Sequence, residues 1–551
     1  MNTKKRPNIL LILADDMGYS DIGCYGGEVE TPHLDRLAAD GLRYTQFYNT
    51  ARCCPTRASL LTGMHPHQVG MGHMAHFDDD LDGYRGDLSK NCVTIAEVLK
   101  EGGYGTFLSG KWHVCRQLIE GDGDKSNWPC SRGFDRFYGI TGGAANYYDP
   151  PTLTSDDKNI ETPSSPDYYL TDDISDQACT FIEDYRQTEP DNPFFLYLAY
   201  TAPHWPLQAK PKTIEKYRGR FGKGWDTLRR ERLQRMIDMG IVNADTDLAK
   251  RDSTQPAWED TPNKDWQERR MEVYAAQVDL MDQGIGRIVD VLQKSGELDN
   301  TLILFLSDNG ACAEEVFDTF FPYKKPAGEG LAKPLSCRTH TRDGRVMAHG
   351  NDPASMPGDE TTFQSYGVAW ANLSNTPFRE YKHFVHEGGI ATPLIAHWPD
   401  GIEDRGSLRH QTGQLTDLMA TIAEVGGVDW PEARQGTPLQ PCEGSSLLES
   451  FAKSDCPRPP LAWEHEGNCA YREGKWKLVK RWDRENWELY DMGSDRSEQN
   501  NRAEELPEMA AELKEKYEAW AERVGVIEWS ELEALRNARG VHTDWMPHPH
   551  D

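Results

Sequence analysis

Four apolar runs that each end in ionisable or polar residues constrain this chain more than any other feature of its sequence. Residues 8–14, 105–109, 194–200 and 301–307 have the length and unbroken apolar character of strands buried on both faces of a parallel sheet, and residues 392–397 form a fifth such run. The first leads into Asp15-Asp16, the second into Lys111-Trp112-His113, the third into Pro203-His204-Trp205 and the fourth into Asp308-Asn309. Helical patterns alternate with these strands. One has Thr31 as N-cap, Pro32 at the first helical position and Gly41 beyond the end. Another spaces Val278, Met281, Ile285, Ile288 and Leu292 at steps of three and four and stops at Gly296. The expected fold class is α/β: a large, mostly parallel, doubly wound sheet with helices on both faces. Ligands of such sheets bind beyond the carboxyl ends of the strands, where the four polar endings would gather.

From about residue 443 the pattern changes. Trp463, residues 470–472, 476–479 and 487–491 read as short antiparallel strands, and residues 508–523 as an amphipathic helix. Two domains are expected: residues 1–442, carrying the large sheet, and residues 443–551, a smaller α+β unit. The Gly- and Pro-rich stretch 311–374 reads as a long loop excursion at the substrate mouth, and Asp78–Asp82 as a solvated turn. The formal net charge of −29 disfavours nucleic acid and anionic membrane surfaces as partners. The 12 cysteines include no CxxC pair, so neither a disulfide scaffold nor a zinc cluster is expected. The first apolar run is too short for a signal peptide, which points to the cytoplasm, or to the periplasm if a signal has been trimmed. No run is long enough to span a bilayer.

The sharpest local signal is Cys53-Cys54-Pro55-Thr56-Arg57-Ala58-Ser59-Leu60-Leu61-Thr62-Gly63. Pro55 at a first helical position and Gly63 past the end mark a short helix, with Cys53 just before its N-terminus, where free N–H groups favour anions. Arg57, one turn on, adds a forked cation. Cys53 could be a buried structural cysteine. A cysteine-phosphatase thiolate would need its arginine further along, where this chain has Ser59 or Leu60. Asp15, Asp16, Asp308 and Asn309 bring like charges to one sheet edge, which is costly without a cation, and their all-oxygen chemistry selects a hard ion.

The segment 53–63 resembles in full the signature Cys-x-Pro-x-Arg with Leu-Thr-Gly of the formylglycine-dependent sulfatases, within the alkaline-phosphatase-like superfamily. Gly110-Lys111-Trp112-His113, Ala202-Pro203-His204 and Lys382 ahead of Glu387-Gly388-Gly389 are similar to three further segments of that family in the same chain order. Bacterial arylsulfatases are the nearest subgroup. The resemblance implies hydrolysis of an aryl or carbohydrate sulfate ester to alcohol or phenol and inorganic sulfate. It implies that a formylglycine-generating enzyme oxidises Cys53 to 3-oxoalanine, whose hydrate attacks sulfur to give a sulfo-enzyme hemiacetal. It also implies a Ca²⁺ ion (Mg²⁺ being the alternative) on Asp15, Asp16, Asp308, Asn309 and residue 53. Arg57, Lys111, His113, His204 and Lys382 are then the remaining catalytic residues. His204, with Lys382, protonates the leaving group, His113 removes the proton that releases sulfate, and Asp308 accepts the proton of the attacking hydroxyl.

Cys54 is expected to be a bystander, Glu387 not to be essential to the chemistry, and His383, His386 and His397 to be structural. His67 is a candidate pocket residue. Trp112, Asn146, Tyr147, Tyr148 and Trp205 are candidates to stack on the substrate. Two rival readings are a phosphonate or phosphate ester hydrolase of the same superfamily and a non-catalytic binder of sulfated glycans. Oligomeric state is not legible.

Overall fold

The computed structural model describes residues 5–75, 77–119, 123–316, 338–434, 436–454 and 456–539. Ten strands form the central sheet: β1 (Asn8–Asp15), β2 (Leu42–Tyr48), β3 (Gly105–Lys111), β4 (Arg136–Ile140), β5 (Leu153–Ser155), β6 (Lys158–Asn159), β7 (Phe194–Pro203), β8 (Thr301–Ser307), β9 (Ala391–His397) and β10 (Ser407–Gln414). Their order is β10-β2-β9-β8-β1-β7-β3-β4-β5-β6. The block β8-β1-β7-β3-β4 is parallel throughout. The large, mostly parallel sheet expected from the sequence is therefore present.

Alternate residues of β1 enter opposite cores, as a strand with both faces covered requires. Leu10, Ile12 and Ala14 pack under α3 (Leu170–Thr188) and α4 (Lys264–Lys294), together with Ile174, Phe181, Val278 and Met281. Ile9, Leu11 and Leu13 pack under α2 (Cys53–Thr62) and α5 (Leu415–Gly426), together with Leu61, Leu418 and Met419. The helix that starts at Pro32, α1 (Pro32–Ala39), lies on the α4 face, its Leu34 and Leu37 in that core.

Five details differ from the sequence reading. β9 runs antiparallel to both neighbours, β2 and β8. β2, β4 and β10 are further strands of the sheet; half-exposed Arg43 and Gln46 interrupt the apolar pattern of β2. α2 begins at Cys53 itself, so Pro55 is its third residue. The excursion 311–374 ends in a buried helix, Gly367–Ser374; its residues 317–337 lie outside the described residues. The acidic turn is not wholly solvated either: Asp79 is buried and receives Arg536 Nε at 2.9 Å and Nη2 at 2.6 Å.

A second, antiparallel sheet follows: β11 (Leu461–His465), β12 (Asn468–Glu473), β13 (Trp476–Lys480) and β14 (Glu488–Asp491), in that order. One face sends Trp463, Ala470, Val479 and Tyr490 into the main core, and the other receives Leu513 of α6 (Pro507–Val524). Trp463 Nε1 donates to the Asn49 carbonyl at 3.0 Å, just ahead of α2. None of the described cysteines is disulfide-bonded. Among the described residues, no helix is long and apolar enough to cross a membrane.

Candidate active site

Each apolar strand ends where its polar successor is needed. Asp15 closes β1 and Asp16 follows with φ 65°; Lys111 closes β3; His204 follows β7; Asp308 and Asn309 follow β8. Gly110 lets β3 approach β7, since a Cβ there would stand 1.8 Å from the Ala199 carbonyl oxygen. The four sequence-distant metal candidates converge. Asn309 Nδ2 donates to Asp16 Oδ1 at 2.7 Å, and the Asp16 N–H donates to Asp308 Oδ1 at 3.1 Å. Asp15 joins them through Arg57, whose Nη2 is 2.8 Å from Asp308 Oδ2 and 3.8 Å from Asp15 Oδ1.

The chain balances these carboxylates with its own cations. Lys111 Nζ donates to Asp15 Oδ2 at 2.7 Å, and Lys382 Nζ lies 2.9 Å from Asp16 Oδ1 and 3.0 Å from Oδ2. Burial and the neighbouring Asp308 raise Asp15 well above the usual carboxylate range, against Lys111 and Arg57. Burial also opposes ionisation of Asp16, but His204 and Lys382 outweigh it and hold Asp16 below its ordinary value. Two buried oxygens have no hydrogen-bond donor, Asp15 Oδ1 and Asn309 Oδ1. Uncommitted oxygens among three crowded carboxylates are donors suited to a hard cation.

Residue 53 opens α2, with Arg52 as the extended N-cap. Its thiol is held well below the ordinary value: the Cys54 thiol hydrogen-bonds it, and Lys111 and His113 add to that against burial. Asp16, Arg57 and Lys382 all feel its charge. The thiols of Cys53 and Cys54 and a nitrogen of His113 lie within 4.8 Å of one another. His113 sits at φ 55°, its ring against Gly143, where a Cβ would fall 2.5 Å from ring atoms. Burial lowers its pKa, with the Cys53 charge opposing. His204 is pulled down to about 4 by burial, against Asp16. Its Nδ1 donates to the Trp205 carbonyl at 2.7 Å, which leaves Nε2 facing Lys382 Nζ at 3.5 Å and Asp16 Oδ2 at 3.3 Å. Arg57 Nη1 donates to the Lys111 carbonyl at 2.9 Å, fixing the end of β3 against α2.

All ten sequence-derived site residues thus gather at one sheet edge, but several other expectations fail. Trp112 is fully buried, with its Nε1 on the Asn127 carbonyl, and Asn146 and Tyr147 are also buried. Trp205 and Tyr148 retain partial exposure. His67 is held by Glu464 of β11 at 2.8 Å. Glu387 is an internal anchor, bonded to Lys477 and Arg496 at 3.1 Å each and to the Tyr48 hydroxyl at 3.1 Å. Sequence reasoning missed Glu314, whose carboxylate meets Arg52 at 3.0 Å, Trp205 Nε1 at 3.0 Å and Lys382 at 3.8 Å. Burial opposes its charge, yet Lys382 and Arg52 bring its pKa down to about 2. No motif announces Glu314 or Arg52; their meeting is a product of the fold.

Residues 7–428 match the family model described as Sulfatase, and residues 379–523 match that of the N-sulphoglucosamine sulphohydrolase C-terminal region. The chain belongs to the sulfatase family and is a sulfuric ester hydrolase. It is 32% identical to an uncharacterized sulfatase of Schizosaccharomyces pombe, over 95% of each chain. It is 32% identical to the arylsulfatase of Klebsiella aerogenes, over 81% of this chain and 92% of that one. Its fold resembles the crystal structure of Ps i-CgsB in complex with k-i-k-neocarrahexaose, with a TM-score of 0.65, 23% identity and 98% of both chains covered.

Proposed function

We propose that the chain hydrolyses the sulfate ester of a sugar or phenol with an oxidised residue 53 as nucleophile and a calcium ion on Asp15, Asp16, Asp308 and Asn309. The observation that carries this reading is the convergence of Arg57, Lys111, His113 and Lys382 on residue 53, beside the uncommitted oxygens of Asp15 and Asn309. Converted to 3-oxoalanine and hydrated, residue 53 supplies one hydroxyl to attack sulfur and a second that allows sulfate to leave. Calcium, held by the four oxygen-bearing residues, supplies Lewis acidity and neutralises charge on the sulfate.

The chain's own residues do the rest. Arg57, Lys111 and Lys382, all almost wholly buried, offer preorganised donors for the sulfuryl oxygens. Asp308 accepts the proton of the attacking hydroxyl. His204 and Lys382, 3.5 Å apart, pass a proton to the leaving oxygen. His113 takes the proton of the oxygen that residue 53 retains. The substrate enters past partly exposed Trp205, a face suited to an aromatic ring or the apolar face of a sugar. Likeness to an arylsulfatase supports an aryl sulfate, and likeness to an N-sulphoglucosamine sulphohydrolase C-terminal region and to a neighbour in complex with k-i-k-neocarrahexaose supports a saccharide. Maturation requires a formylglycine-generating enzyme. Residues 1–442 carry the proposed ligands, and residues 443–551 brace them.

Mass spectrometry of the peptide containing residue 53, paired with kcat/KM on nitrophenyl sulfate, nitrophenyl phosphate and a panel of sulfated sugars, tests this reading. Conversion to the aldehyde and preference for sulfate are expected. An active enzyme with an unmodified Cys53, or one that prefers phosphate, would overturn it.

A further inference from the structure

The hairpin between β11 and β12 turns on Glu466 and Gly467, with His465 paired to Asn468 across it. Both central residues have positive φ, 48° and 77°. That is the type I′ pattern, usually filled by Asn, Asp or Gly. A glutamate held there is strained. The strain delivers a carboxylate into the protein: Glu466 is 7% exposed and faces three imidazoles. His73 Nε2 is 2.6 Å from Oε1, His383 Nδ1 is 2.7 Å from Oε2, and His465 Nε2 is 3.6 Å from Oε1. One donor atom from each of His383, His465 and Glu466 lies within 4.8 Å of the other two. His465 has no exposed surface, and neither of its ring nitrogens has a hydrogen-bond partner. A fully buried imidazole with neither nitrogen paired needs a physical explanation, and a bound ion is one that fits its neighbours.

We propose that Glu466, His383 and His465 form a metal site of their own, for a first-row transition ion of the zinc class. Two imidazole nitrogens and one carboxylate oxygen are the donor set that zinc takes and that calcium does not. His73, hydrogen-bonded to the same carboxylate, orients it, as partners of metal-bound carboxylates commonly do. Arg52, which feels the Glu466 charge, has Glu314 as its own partner at 3.0 Å, so Glu466 is not needed to balance it. The ion would clamp two parts of the chain together. His383 follows Lys382 and is itself at φ 89°, its N–H donating to the Ala51 carbonyl at 2.7 Å, two residues before Cys53. Glu466 and His465 belong to the C-terminal sheet. A metal here fixes the loop that carries Lys382 to that sheet, apart from the all-oxygen cluster at Asp15.

The test is metal content. Full-length protein is stripped of metal, loaded with zinc, desalted into metal-free buffer and analysed by mass spectrometry of its elements. The same is done in a Cys53→Ala background, because Cys53, Cys54 and His113 are a competing donor set. About one zinc per chain should remain in both, and zinc should raise Tm on the order of 5 °C at a hundredfold excess over Kd. His465→Gln and Glu466→Gln should lose the zinc and the shift. Asp15→Asn should keep both. A Cys53→Ala chain that retains no zinc and shows no change in Tm overturns the proposal, as does a folded His465→Gln chain that binds zinc like its parent.

Discussion

Lys382 occupies a position from which one substitution should move two measurable quantities in opposite directions. Its ammonium touches both oxygens of Asp16, at 2.9 and 3.0 Å, stands 3.5 Å from His204 Nε2 and is nearly wholly buried. Lys382→Gln is one atom shorter but still offers an N–H donor toward Asp16, and it removes the charge. If the ammonium stabilises developing charge on the sulfuryl group, its loss costs about 2.7–4 kcal/mol of barrier, or roughly a hundred- to thousandfold in kcat. The same charge opposes a dication on Asp16. Two unit charges 4 Å apart at an effective dielectric constant of 20 interact by about 4 kcal/mol. Even if relaxation removes most of that, at least ~1.4 kcal/mol of repulsion should vanish, tightening calcium tenfold or more.

The assay is initial rate against free calcium, with chelator-treated enzyme that is expected to be inert until calcium is restored. Lys382 lies outside the segment 53–63 that would direct the proposed maturation, so conversion of residue 53, checked by mass, should match wild type. A kcat within threefold of wild type would remove Lys382 from the chemistry. Weaker calcium binding, with half-saturation at higher concentration, would refute its opposition to the cation. Unchanged rates after exhaustive chelation would refute the metal itself.

Cys53→Ala should abolish turnover, whereas Cys53→Ser should accumulate one covalently bound sulfuryl group per chain, visible in the intact mass. Steady multiple turnover by the serine variant would exclude the aldehyde route. Lys477, fully buried between Glu387 at 3.1 Å and Glu498 at 2.9 Å, should cost about 3–5 kcal/mol on replacement by alanine. Differential scanning should show a drop in Tm on the order of 5 °C or more. His397 is held by burial at a pKa of about 4, against Asp40. Its folded pKa is depressed, so the unfolded chain binds the proton more readily. Its contribution is full above about pH 6.5 and is lost as pH falls toward 4, up to ~3 kcal/mol. Replacing His397 by Gln should flatten the acid limb of the Tm–pH curve over that range.

The parts of the fold that could be read from the sequence were those written locally. A run such as 8–14 followed by Asp15-Asp16 carries both its burial and its place at the sheet edge. The direction of β9 was not legible, because a strand buried on both faces is equally apolar whichever way it runs. β2 escaped because Arg43 and Gln46 interrupt its apolar pattern. Trp112 was mistaken for a stacking platform because a side chain of that size serves a core as well as it serves a pocket. Glu314, Arg52 and Glu466 are ordinary charged residues by themselves. Their importance lies in partners hundreds of positions away, and no local pattern records those. His383, taken as structural, is joined to β11 by the same kind of long-range meeting.

Backbone strain shows how the site and the scaffold depend on each other. Asp16, Ala51, His113, His383 and Glu466 all hold positive φ, and four of them bear side chains that point into the two clusters or touch their members. At about 1–2 kcal/mol each, this strain totals roughly 5–10 kcal/mol, as large as the net stability of a typical domain. It can persist only where the surroundings overdetermine it. The five core residues from Ile9 to Leu13 in β1, all without exposed surface, supply about 1.5–3 kcal/mol each, enough to offset it. The strand that holds the sheet together is also the strand that ends in Asp15, next to the strained Asp16. A cavity cut there, as in Leu11→Ala, should therefore loosen the carboxylate cluster as well as lower the stability of the core, and calcium affinity should fall with Tm. If Leu11→Ala lowered Tm but left calcium affinity at the wild-type value, this coupling would be wrong.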